Sequence, residues 1–277
     1  MGKFIRFQLG QKSFITFEDA STTMAATKQF PTIDPAQVNA VVARYGHTDG
    51  MLPADFNCLL FQTDQGFILV DTGKKDGNLL ESLKAANFRA EDIQYVILTH
   101  GDGDHIGGIE HFPNAQFILP RLAWEIWTNE DSRNQMCADY ERVFKALFSP
   151  EVIAKGIASR QKYGQELLPK LKAEGRLILV ELEEEFLPGF RMLDARGHRM
   201  DHFAVEYQTE EACLIHMSDS FRHQLQLTFL DWPCVFDSDP EQTKETIIRL
   251  FKRVQEKRAI MFFAHLAFPG LLEIDTH

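Results

Sequence analysis

Apolar runs separated by polar turns recur along the chain, and they predict a mixed α/β protein. The segment CLLFQTDQGFILVDTG holds two apolar runs joined by residues 64–66, which predicts a β-hairpin. Apolar residues at positions 79, 80, 83 and 86 have helical spacing, and DIQYVILTH then predicts a buried strand. A later helix is predicted over about Pro240 to Lys257, and further strands in RLILVEL, FRMLDARGH, FAVEYQ, ACLIHMSDS and AIMFFAH.

A charged region that favours helix interrupts this pattern between about Leu122 and Lys172. We predict a helical insertion there, within a single domain that spans residues 1–277. Its aromatic residues have the spacing of amphipathic helices. They would either pack in a helical core or form the wall of a substrate pocket, and both interpretations stay open. These residues are Trp124, Trp127, Tyr140, Phe144 and Phe148.

Several predicted strands end at His or Asp residues. The run YVILT is followed by HGDGDH, and later strands precede His198, Asp219 and His265. Imidazole and carboxylate are the usual ligands of zinc and related divalent ions, and ligands from separate strand ends can converge on one cluster. Gly101 and Gly103 are expected to let the HGDGDH loop turn sharply. The pattern therefore predicts a metal site.

Composition narrows the function classes further. The 277 residues are 44% hydrophobic and 25% charged, as in an ordinary globular protein, and the net charge of −11 argues against a nucleic-acid partner. No apolar run is long enough for a membrane span, and the first residues lack the apolar core of a signal peptide, so a cytoplasmic protein without a membrane partner is expected. The four cysteines are scattered and are expected to be buried free thiols.

Four motifs in order resemble those of metallo-β-lactamase-fold hydrolases: THGDGDH, GHRMDH, MSDS and FFAHLAFPG, with ILVDTG upstream. The resemblance extends from about Asn57 to Gly270. Within that superfamily, the segments LPADFNCLLFQTDQGFILVDTG, VFDSDPEQTKETIIRLF and HLAFPG are most similar to the branch of methyl parathion hydrolase-like enzymes and acyl-homoserine lactonases. The resemblance implies an α/β fold of the αββα sandwich type.

The resemblance also implies a dinuclear centre with two divalent metal ions, zinc being the first expectation. One ion would be held by His100, Asp102 and His198, and the other by Asp104, His105 and His265, with Asp219 bridging them. Asp71 would hydrogen-bond the metal loop, and His202 would support the site and is less expected as a direct ligand.

This chain departs from the family pattern at two positions. Asp102 stands where the family usually has His, and counting its charge makes the cluster neutral. An additional oxygen ligand would favour manganese or iron over zinc; alternatively, Asp102 points away and the first site is weak. Arg222 stands where acyl-homoserine lactonases commonly have Tyr. It would bind an anionic group of the substrate or be an ordinary surface arginine.

The implied function is a metal-dependent hydrolase, in which a hydroxide that bridges the two ions cleaves a small ester, lactone or phosphoester. Asp104 and Asp219 are the expected catalytic residues, and Asp104 would also relay a proton to the leaving group. Two alternatives remain: a metal-binding protein with weak or no hydrolytic activity, and an iron-dependent redox member of the same fold. The expected partner is a small-molecule substrate, and a homodimer is left open.

Overall fold

The computed structural model describes residues 2–272, the side chain of Leu9 excepted. The strands in this range are numbered in chain order. They are β1 (Lys3–Leu9), β2 (Lys12–Ala20), β3 (Thr23–Ala25), β4 (Met51–Pro53), β5 (Phe56–Thr63), β6 (Gly66–Val70), β7 (Ile93–Ile97), β8 (Gln116–Pro120), β9 (Leu177–Val180), β10 (Glu185–Leu187), β11 (Phe190–Asp194), β12 (Phe203–Gln208), β13 (Cys213–His216), β14 (Ile260–Phe262) and β15 (Leu271–Leu272).

Two sheets carry most of these strands. The first has the order β1-β2-β5-β6-β7-β8-β9 and the second β10-β11-β12-β13-β14-β15, while β3 and β4 form a separate ribbon. Strands β6 to β9 run parallel, as do β13 and β14. The two sheets pack face to face through aromatic side chains, with the ring of Phe61 4.9 Å from that of Tyr207 and 5.1 Å from that of Phe190. The core between them is one continuous apolar cluster.

Helices cover the outer faces of both sheets. They are α1 (Ala26–Gln29), α2 (Pro35–Arg44), α3 (Leu79–Ala85), α4 (Gly103–Ile106), α5 (Arg121–Thr128), α6 (Glu130–Phe144), α7 (Pro150–Lys162), α8 (Leu168–Ala173) and α9 (Pro240–Lys257). Helix α3 packs on β1 and β2, and α5 and α8 pack near β8 and β9. Helix α9 buries Ile247, Leu250 and Val254 against the second sheet. The predicted αββα arrangement is confirmed.

The helical insertion is also confirmed. Helices α5 to α8, with a π-helical turn at Tyr163–Leu167, connect β8 to β9. The π turn brings the ring of Tyr163 to 4.9 Å from that of Trp127, at the point where the insertion meets the first sheet. Both rings are fully buried. The insertion is therefore anchored to the main core and reaches the ends of the parallel strands.

The N-terminal region adds elements that the sequence analysis did not assign. Strands β1 and β2 form a hairpin on the edge of the first sheet, and helix α2 begins after Asp34, whose side chain accepts a hydrogen bond from the Gln37 backbone N–H. All four cysteines are buried free thiols, as predicted. Among residues 2–272, no helix is long and apolar enough to cross a membrane.

Candidate metal centre

The polar residues singled out in the sequence converge at one edge of the sandwich. HGDGDH follows β7, Asp219 follows β13, and His265 follows β14. His198 lies in the connection from β11 to β12. Because the carboxyl ends of parallel strands meet at the same edge, loops there can hold polar groups without interrupting the sheet.

The loop that begins at His100 has its shape fixed by close packing. Gly101 is required because a Cβ atom there would lie 2.1 Å from the Trp127 ring, and the Gly101 N–H donates to the Asp201 carboxylate at 2.8 Å. A Cβ on Gly103 would meet open space. Neither glycine has a positive φ. The expectation that both serve a sharp turn was therefore wrong: Gly101 makes room for the insertion.

Two groups of donor atoms lie side by side. The first is His100, Asp102 and His198, in which the Asp102 Oδ2 lies 3.8 Å from the Nε2 atom of each histidine. The second is Asp104, His105 and His265. Its Asp104 Oδ2 lies 3.7 Å from His105 Nε2 and 3.4 Å from His265 Nε2. Donors on one tetrahedral zinc ion are roughly 3.4 Å apart, so each group has the span of a metal site.

Asp219 lies between these groups. Its Oδ1 is 3.1 Å from His105 Nε2, and its Oδ2 is 3.0 Å from His265 Nε2 and 3.4 Å from His198 Nε2. One carboxylate thus faces a histidine of the first group and both histidines of the second. This is the position that a bridging ligand requires.

The histidine rings are oriented with one nitrogen held and the other unpartnered. Each Nδ1 atom has one contact: that of His100 with Thr99 Oγ1 (3.1 Å), that of His105 with Asp71 Oδ2 (2.7 Å), that of His198 with Asp237 Oδ1 (3.1 Å), and that of His265 with the Asp55 carbonyl oxygen (2.8 Å). All four Nε2 atoms are buried, and none has a partner in hydrogen-bond geometry within residues 2–272. Asp219 Oδ1 is left in the same state. Buried polar atoms without partners are costly, so this donor set fits metal ions.

Asp71 and His202 occupy the supporting positions that the sequence predicted. The Asp71 carboxylate accepts hydrogen bonds from the Thr99 N–H and hydroxyl, both at 2.8 Å, in addition to its contact with His105. His202 accepts the Asp219 backbone N–H at 3.0 Å through Nε2, so that nitrogen is engaged and His202 is placed as a support. Both residues therefore orient the ligand loops.

Asp102 is held by two buried arginines. Its Oδ1 accepts hydrogen bonds from Arg160 Nη2 and from Arg199 Nε (3.1 Å), and its Oδ2 accepts one from Arg199 Nη2 at 2.8 Å. Burial by itself raises the pKa of this carboxyl, but the two guanidinium groups hold it well below its usual value. Asp102 nevertheless faces the two histidines of its donor group, His100 and His198. The count that predicted a neutral cluster did not include these two neighbouring positive charges.

Arg222 is not a surface residue. Its Nη2 donates to Asp219 Oδ2 at 2.8 Å, and its guanidinium lies 4.2 Å from the centre of the Phe236 ring. The side chain is only 12% exposed, and its buried Nε has no hydrogen-bond partner within the described residues. The sequence analysis left its role open, and the structure places it at the mouth of the donor cluster.

A cavity of about 430 Å³ opens onto both donor groups. Asp102, Asp104 and Gly103 form part of its floor, and Tyr140, Phe144 and Phe148 of the insertion form an aromatic wall. The pocket-wall interpretation therefore holds for these three aromatic residues. Trp127, by contrast, is buried in the core and donates its indole N–H to Asp201.

The protonation states of His100 and Asp104 suit metal binding. Burial lowers the pKa of His100 well below its usual value, so this ring is neutral and free to act as a ligand. Burial by itself raises the pKa of Asp104, but the neighbouring His105 and His265 hold it at about 2. Asp104 is therefore ionised. Its side chain is 23% exposed, against 8% for Asp102 and 1% for Asp219, so it is the cluster carboxylate most open to the cavity.

Sequence reasoning missed Arg160, Arg199 and Asp237. Arg199 directly follows His198 in GHRMDH, so its position next to a predicted ligand was a usable signal. Arg160 comes from helix α7, about 58 residues beyond Asp102, and only the docking of the insertion brings the two together. Nothing in the local sequence around Arg160 indicates this contact.

Comparison with known proteins supports the fold and its branch. Residues 56–214 match the sequence profile of the Metallo-beta-lactamase superfamily. An N-acyl homoserine lactonase of Bacillus cereus is 26% identical over 234 residues, which cover 75% of this chain and 80% of that protein. A probable metallo-hydrolase of Mycobacterium tuberculosis is 32% identical over 189 residues, covering 60% of this chain and 56% of that protein.

Solved structures show the same fold. The dizinc quorum-quenching lactonase AidC, in complex with a product, has a TM-score of 0.84 at 23% identity, covering 99% of this chain and 95% of that one. The hydrolase AbOPH of the beta lactamase superfamily has a TM-score of 0.83 at 22% identity, covering 100% and 94%. These structures confirm the predicted fold class, and the profile match over residues 56–214 confirms the predicted superfamily.

Proposed function

The chain belongs to the metallo-beta-lactamase superfamily, and from this premise we propose that it is a dinuclear metal-dependent hydrolase of a small ester, lactone or phosphoester. The observation that carries the proposal is the set of four buried histidine Nε2 atoms near the Asp219 carboxylate that have no hydrogen-bond partner within residues 2–272. The spacing of these atoms, and the contact that holds each Nδ1 atom on the far side of its ring, fit two divalent ions.

The ligands are assigned by their grouping. His100, Asp102 and His198 would hold one ion, and Asp104, His105 and His265 would hold the other. Asp219, which faces histidines of both groups, would be shared between them. Two ions bound here would supply Lewis acidity and a water whose pKa is brought towards neutrality. We propose zinc for both positions, because four of the donor residues are histidines and both oxygens of Asp102 accept hydrogen bonds from Arg160 and Arg199, which weakens it as an additional oxygen ligand. The relative AidC is a dizinc enzyme.

The chain's own residues then bind the substrate and move the proton. The aromatic wall of Tyr140, Phe144 and Phe148 holds the apolar part of the substrate and excludes water from the reacting bond. Asp104 is the cluster carboxylate most open to the cavity, so it is placed to pass a proton to the leaving group. Asp219 fixes the two halves of the centre relative to each other. These roles make Asp104 and Asp219 the catalytic carboxylates.

A substrate panel tests this proposal. Protein loaded with zinc is assayed on 4-nitrophenyl butyrate, an N-acyl homoserine lactone and a 4-nitrophenyl phosphodiester, and the assays are repeated after chelation. We expect turnover of at least one substrate and its loss on chelation. Metal binding with no turnover on any substrate would instead favour the metal-binding alternative.

Replacing Asp104 with Ala tests the assignment of residues. We expect hydrolysis to be abolished with the circular dichroism spectrum unchanged, because the substitution removes a ligand and proton relay from a loop. Asp64→Ala is the matched control, since this carboxylate is 82% exposed on the hairpin turn of the first sheet. Turnover by Asp104→Ala equal to that of the control would contradict the assignment.

A further inference from the structure

A guanidinium with unused hydrogen-bonding capacity lies beside the metal ligands. Arg222 donates one hydrogen bond from Nη2 to Asp219, while its buried Nε–H has no hydrogen-bond partner within residues 2–272. Phe236 fixes the plane of the group, and both residues line the cavity. A fixed guanidinium with free donors is a suitable partner for a planar or tetrahedral anion.

The side chains that line the cavity carry a small positive excess. They include the cations Arg160, Arg222 and Lys74 and the carboxylates of Asp102 and Asp104. Two divalent ions would add to this excess. The chain as a whole carries a net charge of −11, so the positive cavity is a local feature. Lys74 lies at the mouth, with its Nζ 4.8 Å from the Phe56 ring centre.

Metal binding would weaken the hold of Asp219 on Arg222. A carboxylate that bridges two divalent ions shares its charge with them, and the adjacent guanidinium then lacks a full counter-charge. The aromatic side chains of Tyr140, Phe144 and Phe148, which line the same cavity, cannot replace that counter-charge. An anionic group on the bound substrate would restore it.

We propose that the substrate of this cavity is an anionic amphiphile: an ester, lactone or phosphoester with an apolar segment and a carboxylate or similar anion that binds Arg222. The inference rests on the proposed hydrolase function and narrows its substrate class. The aromatic wall receives the apolar segment, Arg222 receives the anion, and Lys74 assists its entry. A neutral ester would leave Arg222 without a counter-charge.

Two esters that differ only in charge test this proposal. They are the anion of 4-nitrophenyl hydrogen adipate and its neutral methyl ester. In both, water adds to the acyl carbon, the bond to the aryl oxygen breaks, nitrophenolate leaves, and the new carboxylic acid releases its proton. For the zinc-loaded wild type we expect kcat/KM to be about ten- to a hundredfold higher for the anion, as befits one charge-assisted hydrogen bond.

Three variants separate binding of the anion from a structural role. Arg222→Gln is expected to bring the ratio of the two kcat/KM values close to one, and Arg222→Lys to retain part of the preference. Arg89→Gln is the matched control, because Arg89 is 75% exposed and lies outside the cavity; its ratio should equal that of the wild type. The metal content of each protein is measured in parallel. A purely structural role of Arg222 would lower both rates together and leave the ratio unchanged.

A binding measurement keeps this inference separate from the proposed function. Calorimetry with hexane-1-sulfonate on the zinc-loaded proteins should give at least tenfold weaker binding to Arg222→Gln than to Arg89→Gln. If that difference is found but neither ester is cleaved, anion recognition stands and the proposed hydrolysis of esters fails. An unchanged ratio in Arg222→Gln, or sulfonate binding that is absent or independent of Arg222, would overturn the inference.

Discussion

Replacing Asp102 with Asn would remove the negative charge that holds two arginines inside the protein. Asn has the same shape, so packing around the position is retained. Arg160 and Arg199 are only 3% and 2% exposed, and both donate hydrogen bonds to the Asp102 carboxylate. After the substitution, two buried guanidinium groups would have lost this counter-charge.

The cost follows from the geometry. A unit charge pair about 4 Å apart contributes about 4 kcal/mol at an effective dielectric constant near 20. The loss of this Coulomb energy is partly offset in the Asn variant, because no charged carboxylate has to be desolvated on folding. Removing one partner of a buried ion pair costs about 3–5 kcal/mol, and we expect Asp102→Asn to lower the free energy of unfolding by this amount.

Urea-induced unfolding of chelator-treated protein measures this effect without a contribution from bound metal. Asp64→Asn is the control, because Asp64 pairs with Lys12 at 2.8 Å but is 82% exposed; it should cost about 0–1 kcal/mol. The double variant Asp102→Asn/Arg160→Met also removes one of the two buried guanidinium groups that have lost their carboxylate. Its free energy of unfolding should therefore be about 1 kcal/mol or more above that of Asp102→Asn.

A loss below about 1 kcal/mol for Asp102→Asn, or one equal to that of Asp64→Asn, would refute this reasoning. Asp102→His is informative for the same reason. The sequence alone suggested that His at this position restores the family's positive cluster. With Arg160 and Arg199 in place, an imidazole would leave both guanidinium groups without a carboxylate. We therefore expect Asp102→His to be destabilised as well.

Three further predictions follow from the contacts around the centre. His265→Ala should reduce bound zinc from about two ions per chain to about one by mass spectrometry, and full retention would count against its role as a ligand. Asp71→Asn should weaken zinc affinity by about 10- to 100-fold in a chelator competition, because Asp71 orients His105 at 2.7 Å; unchanged affinity would exclude this role. Burial raises the pKa of Asp201 from 3.8 to about 6, so the contribution of this one group to wild-type stability should fall by about 3 kcal/mol as pH rises from about 4 to 6. Asp201→Asn should lack this component in urea titrations across that range, and identical pH profiles would contradict the shift.

Much of the donor cluster was predictable because its residues are local in sequence or follow apolar strands. HGDGDH alone supplies His100, Asp102, Asp104 and His105. Polar residues at the carboxyl ends of strands are also typical of ligand-binding sites in α/β proteins. The hairpin at residues 56–70 and helix α9 were predicted from periodicity and turn chemistry. The single-domain organisation and the homodimer stay predictions.

The remainder depends on contacts between distant segments. Arg160 reaches Asp102 only because the insertion docks through Trp127 and Gly101, and no periodicity encodes that docking. The charge count at Asp102 left out Arg160 for this reason. Strands β1 and β2 were a different kind of omission. Their alternating residues and the intervening Gly10, with φ of 59°, carried a readable hairpin signal.

Stoichiometric metal titration with activity as the readout tests the central claim most directly. Chelator-treated protein is supplied with increasing zinc, and hydrolysis of a substrate from the panel is followed together with bound metal. If the seven ligands form one dinuclear centre, activity should rise with added zinc and level off at about two ions bound per chain. Full hydrolysis by the metal-free chain, or a chain that binds no zinc, would contradict the account.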